Sequence, residues 1–194
     1  MILAAGTASR IGTPKQLLMF RGKPLLEHVL DNARSTRLTP LIVVLGHEAN
    51  KIRHRVDFES SHVVIARNYA LGQSASLKAG LSRVPSQCDG ALFLLGDQPL
   101  IPSAVMNRLV ECFCRWNADI VIPTYGGTRG NPVLIGRALF PQLSTLTGDT
   151  GARALFRTYP ERIVEIEVGH AGICFDVDTR EDYKKLCQLY PIMP

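Results

Sequence analysis

The 194-residue chain predicts an α/β fold, a sheet covered by helices on both faces, and three observations carry that expectation. Short runs of Val, Ile and Leu alternate with longer stretches of helical periodicity from one end to the other. The aliphatic runs are continuous rather than alternating with polar residues, as in strands buried on both sides. Hydrophobic residues make up 46% and charged residues 20%, which suits a chain that builds a core rather than one that stays disordered.

In chain order, strands are predicted at Ile2–Ala4, Leu41–Leu45 and residues 63–66, 91–95 and 120–122, and later at 132–135, 163–168 and 173–175. Helices are predicted at 24–34, 48–55, 74–83, Ser103–Trp116, 151–159 and 179–190. Val105, Met106, Leu109, Val110 and Phe113 recur at three- and four-residue steps, so one stripe of their helix is buried. The last helix carries its own start signal, with Thr179 as cap, Asp182 three residues on, and Lys184 and Lys185 further along. Residues 126–131 and 145–151 are the expected mobile loops. No repeat, low-complexity stretch or composition break divides the chain, so residues 1–194 are expected to form one domain.

The net charge is +5, but basic residues are interspersed with acidic ones, the densest group being Arg53, His54 and Arg55. That pattern argues against nucleic acid as partner and for a small anionic substrate. No apolar run reaches the roughly 18 residues of a membrane span, and no signal-peptide pattern opens the chain, so a cytoplasmic protein without membrane contact is expected. Five cysteines, an odd number without metal-ligand spacing, are expected as reduced thiols. Cys112 and Cys114, two apart on a helix, point to different sides and do not grip one ion.

Ligands of open α/β sheets bind beyond the carboxyl ends of strands, which directs attention to three segments. The first is Leu3, Ala4, Ala5 and Gly6 with Arg10, Gly12, Pro14, Lys15 and Gln16: small residues that admit a ligand to the backbone, and two cations able to neutralise phosphates. It lacks the Gly-Lys-Ser/Thr of the phosphate loop and the three glycines of the dinucleotide fingerprint, so a surface turn with solvated cations is the other reading. The second segment is Gly96, Asp97, Gln98 and Pro99, where a carboxylate ends an apolar strand, either for chemistry or as a turn or cap. The third is Asp176, Val177 and Asp178, whose alternation sends both carboxylates to one side. Magnesium suits such hard oxygen ligands, and Asp178 can also help start the final helix.

Residues 68–76, NYALGQSAS, offer free amides and the Gln73, Ser74 and Ser76 side chains to a base or sugar, or form an ordinary helix cap. Arg129, Gly130 and Asn131, with Gly148, Asp149, Thr150, Gly151 and Arg153, are polar loops able to face a second, anionic ligand. The histidines show no pairing with a nucleophile, which argues against a Ser or Cys hydrolase. His170, near the two aspartates, is the one of interest.

Taken together, LAAGTASRIGTPKQLL, NYALGQSASL, LLGDQPL, RGNPVL, GDTGAR and DVDTREDY resemble the MobA-like nucleotidyltransferases, most closely the branch that transfers cytidylyl groups to the molybdenum cofactor. The resemblance runs nearly end to end. It implies a three-layer α/β/α sandwich with a mostly parallel mixed sheet, a Rossmann-like fold of the GT-A nucleotidyltransferase type. By it, Leu3, Ala4, Ala5, Gly6, Arg10, Lys15, Asn68, Gly72, Ser76 and Asp97 bind the nucleotide, and Lys15, Arg10 and Asp97 carry catalysis. Asp97, Asp178 and Asp176 hold Mg2+, while Arg129, Asn131, Asp149 and Arg153 face the acceptor.

Ala5, where guanylyl-type relatives have Gly, implies CTP rather than GTP. The implied reaction moves CMP from CTP to the phosphate of a molybdopterin-type acceptor, releasing pyrophosphate, with transient contact to a molybdenum hydroxylase. Two alternatives stay open: another cytidylyl or sugar-phosphate acceptor, and a nucleotide-binding chaperone that does no chemistry. Only Met1 and Ile2 precede LAAG, where relatives usually have a longer apolar strand, so a shortened first strand or an upstream start is expected.

Overall fold

Seven strands of three to six residues, most of them apolar, pair side by side, and a two-residue strand at Thr128–Arg129 completes an eight-stranded sheet. The computed structural model describes residues 1–7 and 11–191. In chain order the elements are β1 (Ile2–Ala4), β2 (Met19–Phe20), β3 (Lys23–Pro24), α1 (Leu25–Arg34), β4 (Leu41–Leu45), α2 (Ala49–Arg53), β5 (Ser61–Ile65), α3 (Gln73–Leu81) and β6 (Gly90–Leu95). There follow α4 (Ser103–Trp116), β7 (Ile120–Tyr125), β8 (Thr128–Arg129), β9 (Val133–Gly136), α5 (Phe140–Thr145), α6 (Leu155–Thr158), β10 (Ile163–Glu167) and α7 (Arg180–Leu189). The strand order is β10-β7-β9-β6-β1-β4-β5, with β8 paired to β7. β1 runs parallel to both β4 and β6, and β9 runs antiparallel to β6 and β7, so the sheet is mixed but mostly parallel, as expected.

Alternation along each strand sorts the core into two layers. Ile2, Ala4, Val43, Leu45, Leu92 and Leu94 pack against Leu26, Val29 and Leu30 of α1, Ile52 of α2 and Met106 and Leu109 of α4. On the other face Ile42, Val44, Phe93, Ile122 and Ile135 meet Leu77 of α3, Leu143 of α5 and Phe156 of α6. Helices therefore cover both faces. Among the described residues no helix is long and apolar enough to cross a membrane.

Three sequence expectations need correction. Residues 173–175 are not a strand: Ala171–Cys174 is a 3-10 turn, entered where the Gly172 amide donates to His170 Nδ1 at 3.2 Å. Residues 126–131, expected as a loop, contain a strand: Gly126 and Gly127, at φ 55° and 76°, make the tight turn of a β7–β8 hairpin. The predicted helix at 151–159 splits into a 3-10 turn at Ala152–Ala154 and α6.

The final helix is capped as its sequence indicates. The Asp182 amide donates to Thr179 Oγ1 at 3.1 Å, and Asp182 Oδ2 accepts from the Thr179 amide at 2.9 Å. Thr179→Ala is expected to cost about 1 kcal/mol of stability, read by urea denaturation. The Thr179 hydroxyl is the largest influence holding the Asp182 carboxyl below its ordinary value. A carboxyl depressed in the folded state adds stability above its unfolded pKa of about 3.9 and loses it as pH falls through the lowered value. The Thr179→Ala penalty should therefore shrink in acid.

Candidate functional site

The sheet changes direction of winding at β1: the chain steps from β1 to β4 and β5 on one side, and returns to place β6 on the other. Crevices at such switch points, beyond the carboxyl ends of the strands, are where open α/β sheets hold ligands. Here the β1 end delivers Ala5 and Gly6, and the β6 end delivers Gly96 and Asp97. Gln16 folds the chain after the first loop back over β1, its buried amide donating to the Ala4 carbonyl at 2.8 Å. That bond sets the 3-10 turn Lys15–Leu17 directly above the strand ends.

Lys15 is the centre of the site. Its ammonium donates to Asp97 Oδ2 and, at 2.7 Å, to Asp178 Oδ1. These residues lie 82 and 163 positions away in sequence. Burial pushes the Lys15 ammonium pKa down, but the charges and hydrogen bonds of Asp97 and Asp178 outweigh it and raise the value above the ordinary one. Asp176 stands beside the pair: burial, then the charges of Asp178 and Asp97, raise its carboxyl pKa. Val177, fully buried between the two aspartates, donates its amide to the Asp97 carbonyl at 3.1 Å and ties their segment to the end of β6. Asp178 serves twice, because its amide also donates to the capping carboxylate of Asp182 at 3.3 Å.

A cavity of about 580 Å³ opens beside this cluster, lined by Leu3, Ala4, Ala5, Gly6, Lys15, Gly72, Ser76 and Asp97 among others. Its far wall is the start of α3. Gly72, at φ 106°, turns the chain so that the Ser74 amide and hydroxyl both donate to the Gly148 carbonyl, at 3.2 and 2.8 Å. Size alone does not select this site. A larger hollow of about 1450 Å³ lies beside the amino ends of β4 and β6, at Pro40 and Gly90, whereas Lys15, Asp97 and Asp178 all line the smaller one.

A second cavity of about 370 Å³ shares Leu3, Gln73, Leu95 and Asp176 with the first. Arg129, Asn131 and Arg153 line it, so three of the four residues expected on the acceptor side come together. Asp149 does not join them. It lines the first cavity, because its carboxylate accepts from the Gln73 amide at 3.2 Å and so caps α3. Asn68 lines neither cavity; its neighbours Tyr69 and Ala70 take that place in the first. Arg129 is also shared, donating Nε to Glu165 at 2.9 Å. Arg10 lies outside the described residues.

Sequence reasoning named Gln98 in the segment after the strand but gave it no role. It is 4% exposed, its Oε1 has no hydrogen-bond partner, and it lines the second cavity. The signal was a neutral amide directly after the strand-end carboxylate.

Comparison with known proteins places the chain in a family. Residues 1–163 match the family model described as the MobA-like NTP transferase domain. The chain belongs to that family. It is 27% identical to the molybdenum cofactor cytidylyltransferase of Escherichia coli, over 94% of this chain and 92% of that one. It is 28% identical to the nicotine blue oxidoreductase of Paenarthrobacter nicotinovorans, over 100% of this chain and 95% of that one. Among solved structures, Rv0371c of Mycobacterium tuberculosis superposes with a TM-score of 0.89 at 33% identity, covering 96% and 95% of the two chains. A further structure of Rv0371c is a complex with manganese.

The donor set of this MobA-like chain fits a divalent cation. Asp97 and Asp178 offer hard carboxylate oxygens, and Asp97 Oδ1 is buried with no hydrogen-bond partner, an acceptor that a cation would satisfy. Among the described residues, however, no three His, Cys, Asp or Glu side chains are grouped as a ready metal site. The charge between Asp97 and Asp178 is that of Lys15.

Proposed function

We propose that this protein transfers CMP from CTP to the phosphate of a molybdopterin-type acceptor, with release of pyrophosphate. The observation that carries the reading is the Lys15 ammonium, gathered with Asp97 and Asp178 at the mouth of a cavity lined by small residues at the end of β1. The likeness to the E. coli cytidylyltransferase supports CTP and this acceptor class.

In this reading the triphosphate lies along Leu3, Ala4, Ala5 and Gly6, whose small side chains leave the backbone open to it. Gly72, Gln73 and Ser76 line the wall taken as the base side. The acceptor occupies the adjoining cavity with Arg129, Asn131 and Arg153, which brings its phosphate past the shared residues towards the nucleotide. An acceptor phosphate oxygen forms the new bond to the α-phosphorus, and the bond to the bridging oxygen breaks, its electron pair leaving with pyrophosphate. No general base is required, since a phosphate monoester is largely ionised above its second pKa of about 6. Lys15, with Arg10 as second cation, stabilises the charge that builds on the departing pyrophosphate. Asp97 and Asp178, with Asp176, would hold Mg2+ or Mn2+, which supplies charge neutralisation to the phosphates.

The test is metal-dependent pyrophosphate release with CTP, GTP and ATP against molybdopterin and against hexose 1-phosphates. The expected result is release with CTP and molybdopterin, at least tenfold above every other pair. Release only with a hexose phosphate would move the acceptor to the sugar class. CTP binding without release under any acceptor would make the protein a carrier.

A further inference from the structure

The ammonium of Lys15 stands where a divalent cation has to go. It bonds Asp97 Oδ2 and Asp178 Oδ1 together, and its side chain is only 15% exposed. Magnesium or manganese requires oxygens at close range, about 2.0–2.1 Å for magnesium, and cannot reach the same oxygens while a third atom holds both. Like charges also repel at this separation. Lysine, unlike arginine, is a compact charge on a flexible four-carbon stem, so it can leave without disturbing the backbone. What draws it away is an anion within reach, and the cavity it borders is the one assigned above to the triphosphate.

We propose that Lys15 is a resident counter-ion that keeps divalent metal off Asp97 and Asp178 until a nucleotide arrives, and then exchanges the carboxylates for the phosphates. The inference rests on the metal site of the proposed function and adds an order to it: nucleotide and metal bind together, and metal alone binds weakly. The protein is thereby protected from holding a metal ion with no substrate. The same exchange brings the lysine to the phosphates at the moment the carboxylates become free.

The decisive measurement is manganese binding to nucleotide-free protein, followed by the electron paramagnetic resonance signal of free Mn2+. Wild type is expected to bind weakly, and Lys15→Gln at least tenfold more tightly. Lys15→Arg, which keeps the charge, should stay within about threefold of wild type. Adding Asp97→Asn to Lys15→Gln should abolish the gain. Equal affinity in wild type and Lys15→Gln, still sensitive to Asp97, overturns the exchange while leaving the metal site intact. Absence of any Asp97-dependent binding in either protein overturns the metal site itself.

Should Lys15→Gln fail to fold, the wild-type protein answers alone. Acetylation of lysine amines, mapped by peptide mass spectrometry, should stay unchanged at Lys15 on adding Mg2+ without nucleotide. Lys23, paired with Asp31 on the surface, serves as the unchanged control. A severalfold rise at Lys15 with Mg2+ alone, which would mean that the metal displaces the lysine without a nucleotide, overturns the proposal.

Discussion

Asp97→Asn should lower kcat by about two to three orders of magnitude, while CTP affinity measured without metal stays within about threefold of wild type. The substitution keeps size, removes one charge and turns one acceptor oxygen into a donor amide. Asp97 is the carboxylate with an unsatisfied buried oxygen, so its demand for a cation exceeds what Lys15 supplies. The demand bears on the reacting phosphates, because an interaction realised only as charge develops appears in kcat and not in binding. Lys15 keeps Asp178 as partner in the variant, so the fold should survive. Thermal melting within a few degrees of wild type would show that the loss is chemical. Equal loss of kcat and of CTP affinity would mean instead that Asp97 shapes the cavity.

Why Asp97 was legible in the sequence, and Gln98 beside it was not, follows from physical cost. A carboxylate at the end of the apolar run 91–95 needs a reason to be there. A neutral amide does not announce itself, and only its burial and unpaired oxygen reveal it. The same holds for the fold. Ile2–Ala4, Leu41–Leu45 and Ser103–Trp116 agree with the sequence reading to the residue, because buried strands and a long amphipathic helix write their periodicity plainly. α5 went unread: it buries only Phe140 and Leu143, and a proline near its start looks like a breaker. The β2–β3 hairpin has two residues per strand, too few to alternate.

The convergence of Lys15 with Asp97 and Asp178 was foreseeable only as a meeting of strand ends. A sequence states that two carboxylates and a lysine are present, but not that the lysine lies between them. Asp149 shows the complementary failure. Its neighbours in GDTGAR suggested an anionic acceptor, whereas the free amides at the start of α3 take its carboxylate first.

Gly72→Ala should abolish nucleotide binding and destabilise the protein by more than about 3 kcal/mol. Gly72 has φ 106°, outside the range an L-residue adopts comfortably. A Cβ at that position would stand 2.4 Å from the carbonyl carbon and oxygen of Gly148 and 2.5 Å from the Asp149 amide nitrogen. All three are backbone atoms, so no side chain can rotate out of the way. Relief requires separating 148–149 from the start of α3, which breaks the bonds from Ser74 to Gly148 and from Gln73 to Asp149. Those bonds hold the cavity wall that carries Gln73 and Ser76. Binding and stability should therefore fall together, read by CTP titration and urea denaturation on the same protein. Retained CTP affinity with a lowered unfolding midpoint would show that this wall is scaffold and that the base is held elsewhere.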